Sequence, residues 1–144
     1  LKNNLNILSN ANVGSRLPRF KTTDIAGNII TEGNFKGKTS IIFTWATWSY
    51  DSENMKRRIN NLIQQANGNY AALGVNVDAS RKTCEDAVKR DNIHFPNISD
   101  GMLFDSKLMA TLGLHAVPEN IIIDTKGKII AKNVAIDDLE KYIK

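Results

Sequence analysis

Apolar and polar positions follow two rhythms along this chain, and the switches between them outline its elements. Pro18 to Asp24 alternates, Asp24-Ile25-Ala26-Gly27-Asn28 supplies turn chemistry, and Ile29-Ile30-Thr31 follows, which predicts a short hairpin. Asn34-Phe35-Lys36-Gly37-Lys38 turns into a strand over 39–45, whose unbroken Ile41-Ile42-Phe43 run suits a strand covered on both faces. From Ser49 to Ala66 the rhythm becomes helical, with Met55, Ile59, Leu62, Ile63 and Ala66 on one face. Asn67-Gly68-Asn69 ends that helix. Tyr70 to Asp78 reads as the next strand, and Ser80–Arg90 as a helix that returns. This strand–helix–strand order with short loops is a βαβ unit, so strands 39–45 and 70–77 are predicted to be parallel.

The second half is less periodic. His94-Phe95-Pro96 opens a loop that reaches Gly101, and a short helix near Ser106–Leu112 stops at Gly113. Leu114-His115-Ala116-Val117-Pro118 leads into a strand at Asn120–Asp124. Thr125-Lys126-Gly127-Lys128 is a hairpin turn, with the return strand at Ile129–Asn133. Asp137 to Lys144 closes the chain as a helix, Leu139 and Ile143 inward. Residues 1–15, rich in asparagine and serine, are expected to form a loose or peripheral arm. No internal repeat, low-complexity tract or linker is visible, so one domain over 1–144 is expected.

Composition narrows the class. A chain of 144 residues with 42% hydrophobic and 24% charged positions fits a globular domain with a real core. No apolar run approaches a membrane span. The start Leu1-Lys2-Asn3-Asn4 lacks the pattern of a signal peptide, and the absence of an initial methionine leads us to expect a mature or trimmed chain. The net charge is +4, but the cations fall in small groups, Lys36/Lys38, Lys56-Arg57-Arg58, Arg81-Lys82 and Lys126/Lys128, with acids among them. Solvated surface is the expectation, and no nucleic-acid partner, since no aromatic residues interleave with these groups. The single cysteine, Cys84, cannot form an internal disulfide and is expected to be a packed thiol in a helix. His94 and His115 are too isolated to suggest a metal site, and no cofactor is expected.

The densest motif is Thr44-Trp45-Ala46-Thr47-Trp48-Ser49-Tyr50-Asp51-Ser52, between the buried strand and the amphipathic helix. With Leu17-Pro18-Arg19-Phe20, Asp24-Ile25-Ala26-Gly27, Phe35-Lys36-Gly37-Lys38, Gly74-Val75-Asn76-Val77-Asp78, Val117-Pro118 and Ile123–Lys128, it resembles the TlpA/ResA branch of thioredoxin-like proteins over about residues 15–135. The resemblance implies an α/β thioredoxin-like fold, a central mixed β-sheet flanked by helices with an N-terminal β-hairpin. It also implies a place in the periplasm or cell envelope. In relatives a W-A-T-W-C-x-x-C run carries the thiol–disulfide oxidoreductase chemistry. Here positions 49 and 52 are both serine. Exchange needs a thiolate and a second sulfur, so a dithiol cycle is excluded for this chain. Ser49 or Asp51 is expected to cap the helix, with Asp51 and Glu53 complementing its dipole.

The resemblance further implies that Pro118 is cis and faces the 49–52 segment, where relatives pair backbone with an extended peptide. Trp48, Ser49, Tyr50, Val117 and Pro118 are therefore the expected walls of a binding groove, its partner an extended peptide or protein segment. Two functional readings stay open: a redox-inactive binding or scaffold domain of the bacterial cell envelope, or an oxidoreductase whose two active-site cysteines have been replaced by serine. A thiol peroxidase would need a cysteine near the start of the 49–66 helix, and Cys84 lies in the wrong segment.

Overall fold

The computed structural model describes residues 13–66, 68–99 and 107–142. A two-stranded antiparallel sheet, β1 (Lys21–Thr23) with β2 (Ile29–Thr31), precedes the main sheet. The main sheet has five strands in the order β5-β4-β3-β6-β7: β3 Thr39–Trp45, β4 Tyr70–Asn76, β5 Asn97–Ser99, β6 Asn120–Ile123 and β7 Ile129–Lys132. β3, β4 and β5 run parallel, while β6 is antiparallel to both β3 and β7. The helices are α1 (Tyr50–Gln65), α2 (Arg81–Arg90) and α3 (Lys107–Leu112). The parallel pairing expected of the βαβ unit is present, in the register Thr39↔Tyr70 to Trp45↔Asn76.

The apolar runs of the central strands feed two cores, one on each face. Ile42, Leu73, Val75, Ile121 and Ile123 join Leu17, Phe20, Phe35, Met109 and Leu112. Their neighbours Ile41, Phe43, Trp45, Ala72 and Ile122 join Met55, Ile59 and Leu62 of α1, Cys84 and Ala87 of α2, and Leu139. Successive residues of a strand point to opposite faces, so a strand covered on both sides must be apolar throughout. Each such isoleucine, fully buried, contributes about 1.5–3 kcal/mol.

Four sequence expectations are corrected. The loop read from His94 to Gly101 contains β5, paired with β4 through Gly74↔Asn97 to Asn76↔Ser99; Gly101 lies outside the described residues. The strand is three residues long, too short for an alternation to stand out, and all three residues are buried. Asn97 holds it in place: its Oδ1 accepts the Trp45 indole N–H at 2.9 Å and its Nδ2 donates to Phe95 O at 3.0 Å. A Cβ at position 74 would lie 2.1 Å from that Asn97 Oδ1, so the close approach requires Gly74.

Residues 13–15 are not a loose arm, while 1–12 lie outside the described residues. Gly14 N–H donates to Ile129 O and Ile129 N–H to Ser15 O, both at 2.8 Å. These are backbone bonds, invisible in side-chain pattern. At the other end the expected helix from Asp137 is a 3₁₀ helix, Ile136–Lys141. Only Leu139 is buried there, and Ile143 lies outside the described residues, so the segment is two tight turns with one inward residue. The bounds of the other helices agree to within a residue; Ser106 and Asn67 also fall outside the described residues.

The fourth correction is Lys56, read as part of a solvated basic group. It is fully buried. Its Nζ lies 4.2 Å from the centroid of the Trp45 ring, pairs with Glu53, and reaches Asp91 Oδ2 at 2.9 Å. Arg90 adds bonds to Glu53 Oε2 at 2.7 Å and Asp91 Oδ2 at 3.1 Å. A buried ammonium needs such pairing, because an unpaired one costs several kcal/mol. Burial pushes the Asp91 carboxyl up. The hydrogen bonds from Arg90 and Lys56 and the charges of Lys56 and Arg57 outweigh it, holding the group well below the usual carboxylate range.

A carboxylate depressed in the folded state contributes stability that is present above its unfolded value, near 3.8, and is lost as pH falls toward the folded value. Asp91→Asn is expected to be less stable than the wild type at about pH 7, with the gap closing as pH drops from about 5 to about 2. Urea midpoints across that range check this; a gap that does not change with pH contradicts it.

Candidate functional site

β3 delivers the chain to the turn at 46–49, and α1 carries it away. Ser49 caps α1: its backbone is extended (φ −112°, ψ 106°) and its Oγ accepts the Ser52 N–H at 3.4 Å. Asp51 and Glu53 place negative charge in the first turn, where the free N–H groups and helix dipole favour it. Ser52 is fully buried. Its Oγ accepts the Ala46 N–H at 3.0 Å and shares its one proton between Ala46 O at 3.0 Å and Ser49 O at 2.9 Å. The turn is thus closed by a hydroxyl together with a backbone bond: the Ser52 side chain serves both the N–H and the C=O of the buried Ala46, and that C=O also accepts the Ser49 N–H at 3.1 Å.

Asp78, at the end of β4, holds the same turn from the side. Its carboxylate accepts the Thr47 N–H at 3.0 Å and the Thr47 hydroxyl at 2.9 Å, and Asn76 Nδ2 donates to it at 2.9 Å. Thr44, buried in β3, fixes the facing loop. Its hydroxyl donates to Ala116 O at 2.7 Å and accepts the Glu119 N–H at 2.8 Å. The Glu119 carboxylate accepts the N–H groups of His115 and, at 2.7 Å, Ala116. Asp78, Thr44 and Glu119 were not singled out from sequence as site residues. The adjacency of Glu119 to Pro118 was the only available sign.

The Val117–Pro118 peptide bond is cis. Pro118 lines a hollow of about 330 Å³ together with Asp51, Asn54 and Met55 of α1, Asn120, and residues 133–136. Of the five expected groove residues, only Pro118 lines this hollow. Trp48 and Tyr50 are 58% and 77% exposed, and Val117 packs partly against the core. Among the described residues, the Val117 N–H and C=O have no hydrogen-bond partner. The far wall is set by Asn120, buried in β6, whose side chain accepts the Val134 N–H and donates to Val134 O, each at 2.9 Å. An asparagine opening an otherwise isoleucine strand was the sequence sign of that clamp.

Nucleophilic chemistry finds no support here. Among the described residues, no imidazole or carboxylate bonds to Ser49 or Ser52, as an activated serine requires. His94 and His115 are exposed. Cys84 is fully buried, and burial together with the Asp78 charge pushes its thiol up to about 12, so it stays protonated and unreactive. No group of three or more histidine, cysteine, aspartate or glutamate residues is placed to hold a metal among the described residues.

The mixed five-stranded sheet with helices on both faces and the preceding two-stranded sheet define a thioredoxin-like fold. The chain belongs to the AhpC/TSA family, whose pattern matches residues 13–132. It is 27% identical over 140 residues to the thiol-disulfide oxidoreductase ResA of Bacillus thuringiensis, covering 92% of this chain and 77% of that protein. Over 125 residues it is 27% identical to the thiol:disulfide interchange protein DsbE of Vibrio cholerae, covering 85% and 65%. Among solved structures it superposes on a C-terminal domain described as that of a thiol-disulfide oxidoreductase from Bacteroides thetaiotaomicron, with a TM-score of 0.81, 25% identity, and 92% and 93% of the two chains covered.

Ser52→Ala removes the acceptor of the buried Ala46 N–H, while the Ala46 C=O keeps the Ser49 N–H at 3.1 Å. The substitution is expected to lower stability by about 1–3 kcal/mol in urea unfolding. Loss below about 0.5 kcal/mol would show that the turn holds without the hydroxyl.

Proposed function

We propose that this chain is a thioredoxin-like binding domain of the bacterial cell envelope that does no dithiol chemistry and holds an extended polypeptide segment beside Pro118. The observation that carries this reading is the unpartnered backbone of Val117, next to Pro118 and across from the N-terminus of α1. An extended segment adds to such an edge by main-chain hydrogen bonds and gains specificity from adjoining pockets. The hollow lined by Asp51, Asn54 and Asn120 offers polar groups for one side chain, and exposed Trp48 and Tyr50 offer apolar area. None of this needs sulfur. The envelope placement rests on the resemblance to the TlpA/ResA branch.

Binding is tested by NMR titration of the labelled protein with a library of unstructured peptides. Binders are expected to shift the amides of Val117, Trp48 and Tyr50, and Tyr50→Ala is expected to weaken them about tenfold, the usual scale for an exposed aromatic contact. Shifts confined to other surfaces would overturn the reading.

The thiol chemistry of the relatives favours a second reading, in which the serines occupy the places of two redox cysteines. The wild type is expected to reduce insulin no faster than a protein-free control. Ser49→Cys with Ser52→Cys is expected to form a disulfide under mild oxidant, because the two positions share one helical turn at an N-terminus. Disulfide reductase turnover by the wild type would contradict the binding reading. A double variant that stays reduced and folded would contradict the assigned geometry.

A further inference from the structure

Many of the cations on the helices are paired: Arg57, Arg58, Arg81, Lys82, Arg90 and Lys141 each lie within 3.5 Å of a carboxylate oxygen, while Lys89 of α2 is exposed and forms no ion pair among the described residues. At the opposite end of the sheet from the Pro118 hollow, Arg16, Arg19, Lys36 and Lys126 are exposed and form no ion pair among the described residues. These four line one hollow of about 610 Å³, together with Leu17, Pro18, Glu32 and Gly127.

The sequence spreads these residues over more than a hundred positions, and the fold gathers them with backbone bonds. Gly37 N–H donates to Thr125 O at 2.9 Å, which sets the Lys36-Gly37-Lys38 turn beside the Lys126-Gly127-Lys128 turn. Leu17 N–H donates to Gly127 O at 2.8 Å, which adds Arg16 and Arg19. The charges are therefore carried on three short segments locked to each other, so their repulsion is already met in the folded chain. Two acids lie near. Glu32 lines the hollow, and one of its oxygens accepts the Phe20 N–H at 3.1 Å. Asp124 is engaged by the Lys126 and Lys128 N–H groups, both at 2.9 Å. Four cations against Glu32 leave the lining strongly positive.

We propose that this hollow is a binding site for a ligand carrying clustered phosphate groups. Unpaired charges converging on a concavity focus the field there and attract counter-ions of high charge density. Arginine forks match phosphate oxygens bidentately, and lysines add point charges. The volume lies within the range of small-molecule sites and exceeds what one phosphate fills. No aromatic side chain lines the hollow, so the recognition is of the anion and not of a stacked base. The phosphates can come from a free small molecule or from lipid headgroups. The site lies about 20 Å from the Pro118 hollow, the length of β3, and does not depend on peptide binding there.

Isothermal titration calorimetry with pyrophosphate at about 150 mM salt is the test. The wild type is expected to bind at submillimolar concentration. Arg19→Gln with Lys126→Gln is expected to weaken binding at least tenfold, from about fivefold per lost charge pair. Lys82→Gln with Lys141→Gln makes the same change in net charge elsewhere and is expected to leave affinity within about twofold. A second arm measures co-sedimentation with phosphatidylglycerol vesicles. Vesicle binding that pyrophosphate displaces assigns the site to headgroups, and pyrophosphate binding without vesicle binding assigns it to a free ligand. No pyrophosphate heat up to about 10 mM, or equal loss in the two double variants, overturns the proposal. Vesicle binding that pyrophosphate does not displace, or that the Arg19/Lys126 variant retains, overturns it as well.

Discussion

Ser52 Oγ sits 3.0 Å from both the N–H nitrogen and the carbonyl oxygen of Ala46, and 2.9 Å from Ser49 O, with no exposure to solvent. That one oxygen folds the exit of β3 back on the first turn of α1. The turn that carries Trp48 and the start of α1 lies within this bond set. Asp78 and Thr44 reinforce the same corner from β4 and β3, with carboxylate and hydroxyl groups that satisfy backbone in both facing loops. The corner is held by hydrogen bonds throughout, so it does not rely on a sulfur bridge.

This bears on how a fold shared with thiol–disulfide oxidoreductases can serve without thiols. A helix N-terminus favours any anion or acceptor, and here it is satisfied by Ser49 and the acids of the first turn. The facing loop offers main-chain groups at Val117 whose use in binding needs no redox partner. The single thiol, Cys84, lies on the inward face of α2 and packs into the core, where burial disfavours its thiolate. The chemistry that defines the relatives rests on two side chains, while the surface beside it is built by the backbone and the sheet.

The central strands, α1 and the βαβ unit were legible because their apolar spacing is long and regular: β3 feeds both cores, and Met55, Ile59 and Leu62 form one stripe. The cap of α1 was narrowed to Ser49 or Asp51 because position and residue type agree, and Ser49 fills it. What escaped notice shares a cause. β5, the tie at Gly14–Ser15 and the gathering of the two Lys-Gly-Lys turns depend on backbone bonds or on contacts between distant segments. Lys56 looked like surface because its neighbours Arg57 and Arg58 are, yet helical spacing turns it toward Trp45 and Asp91. Asn120 acts on the main chain at Val134 and Glu119 on that of its own loop, and single-residue chemistry of that kind has no period to detect.

The central claim is that the Ser52 hydroxyl is required to hold the corner between β3 and α1. Native-state hydrogen exchange at the Ala46 amide addresses it directly, since that N–H donates to Ser52 Oγ. In the wild type it is expected to exchange only in near-global unfolding, like the amides of Ile42 and Leu73 in the sheet. In Ser52→Ala it is expected to exchange at least tenfold faster, while Ile42 and Leu73 slow or speed only with the change in overall stability. An Ala46 amide that exchanges like an open loop in the wild type, or tracks overall stability alone in the variant, would contradict the account.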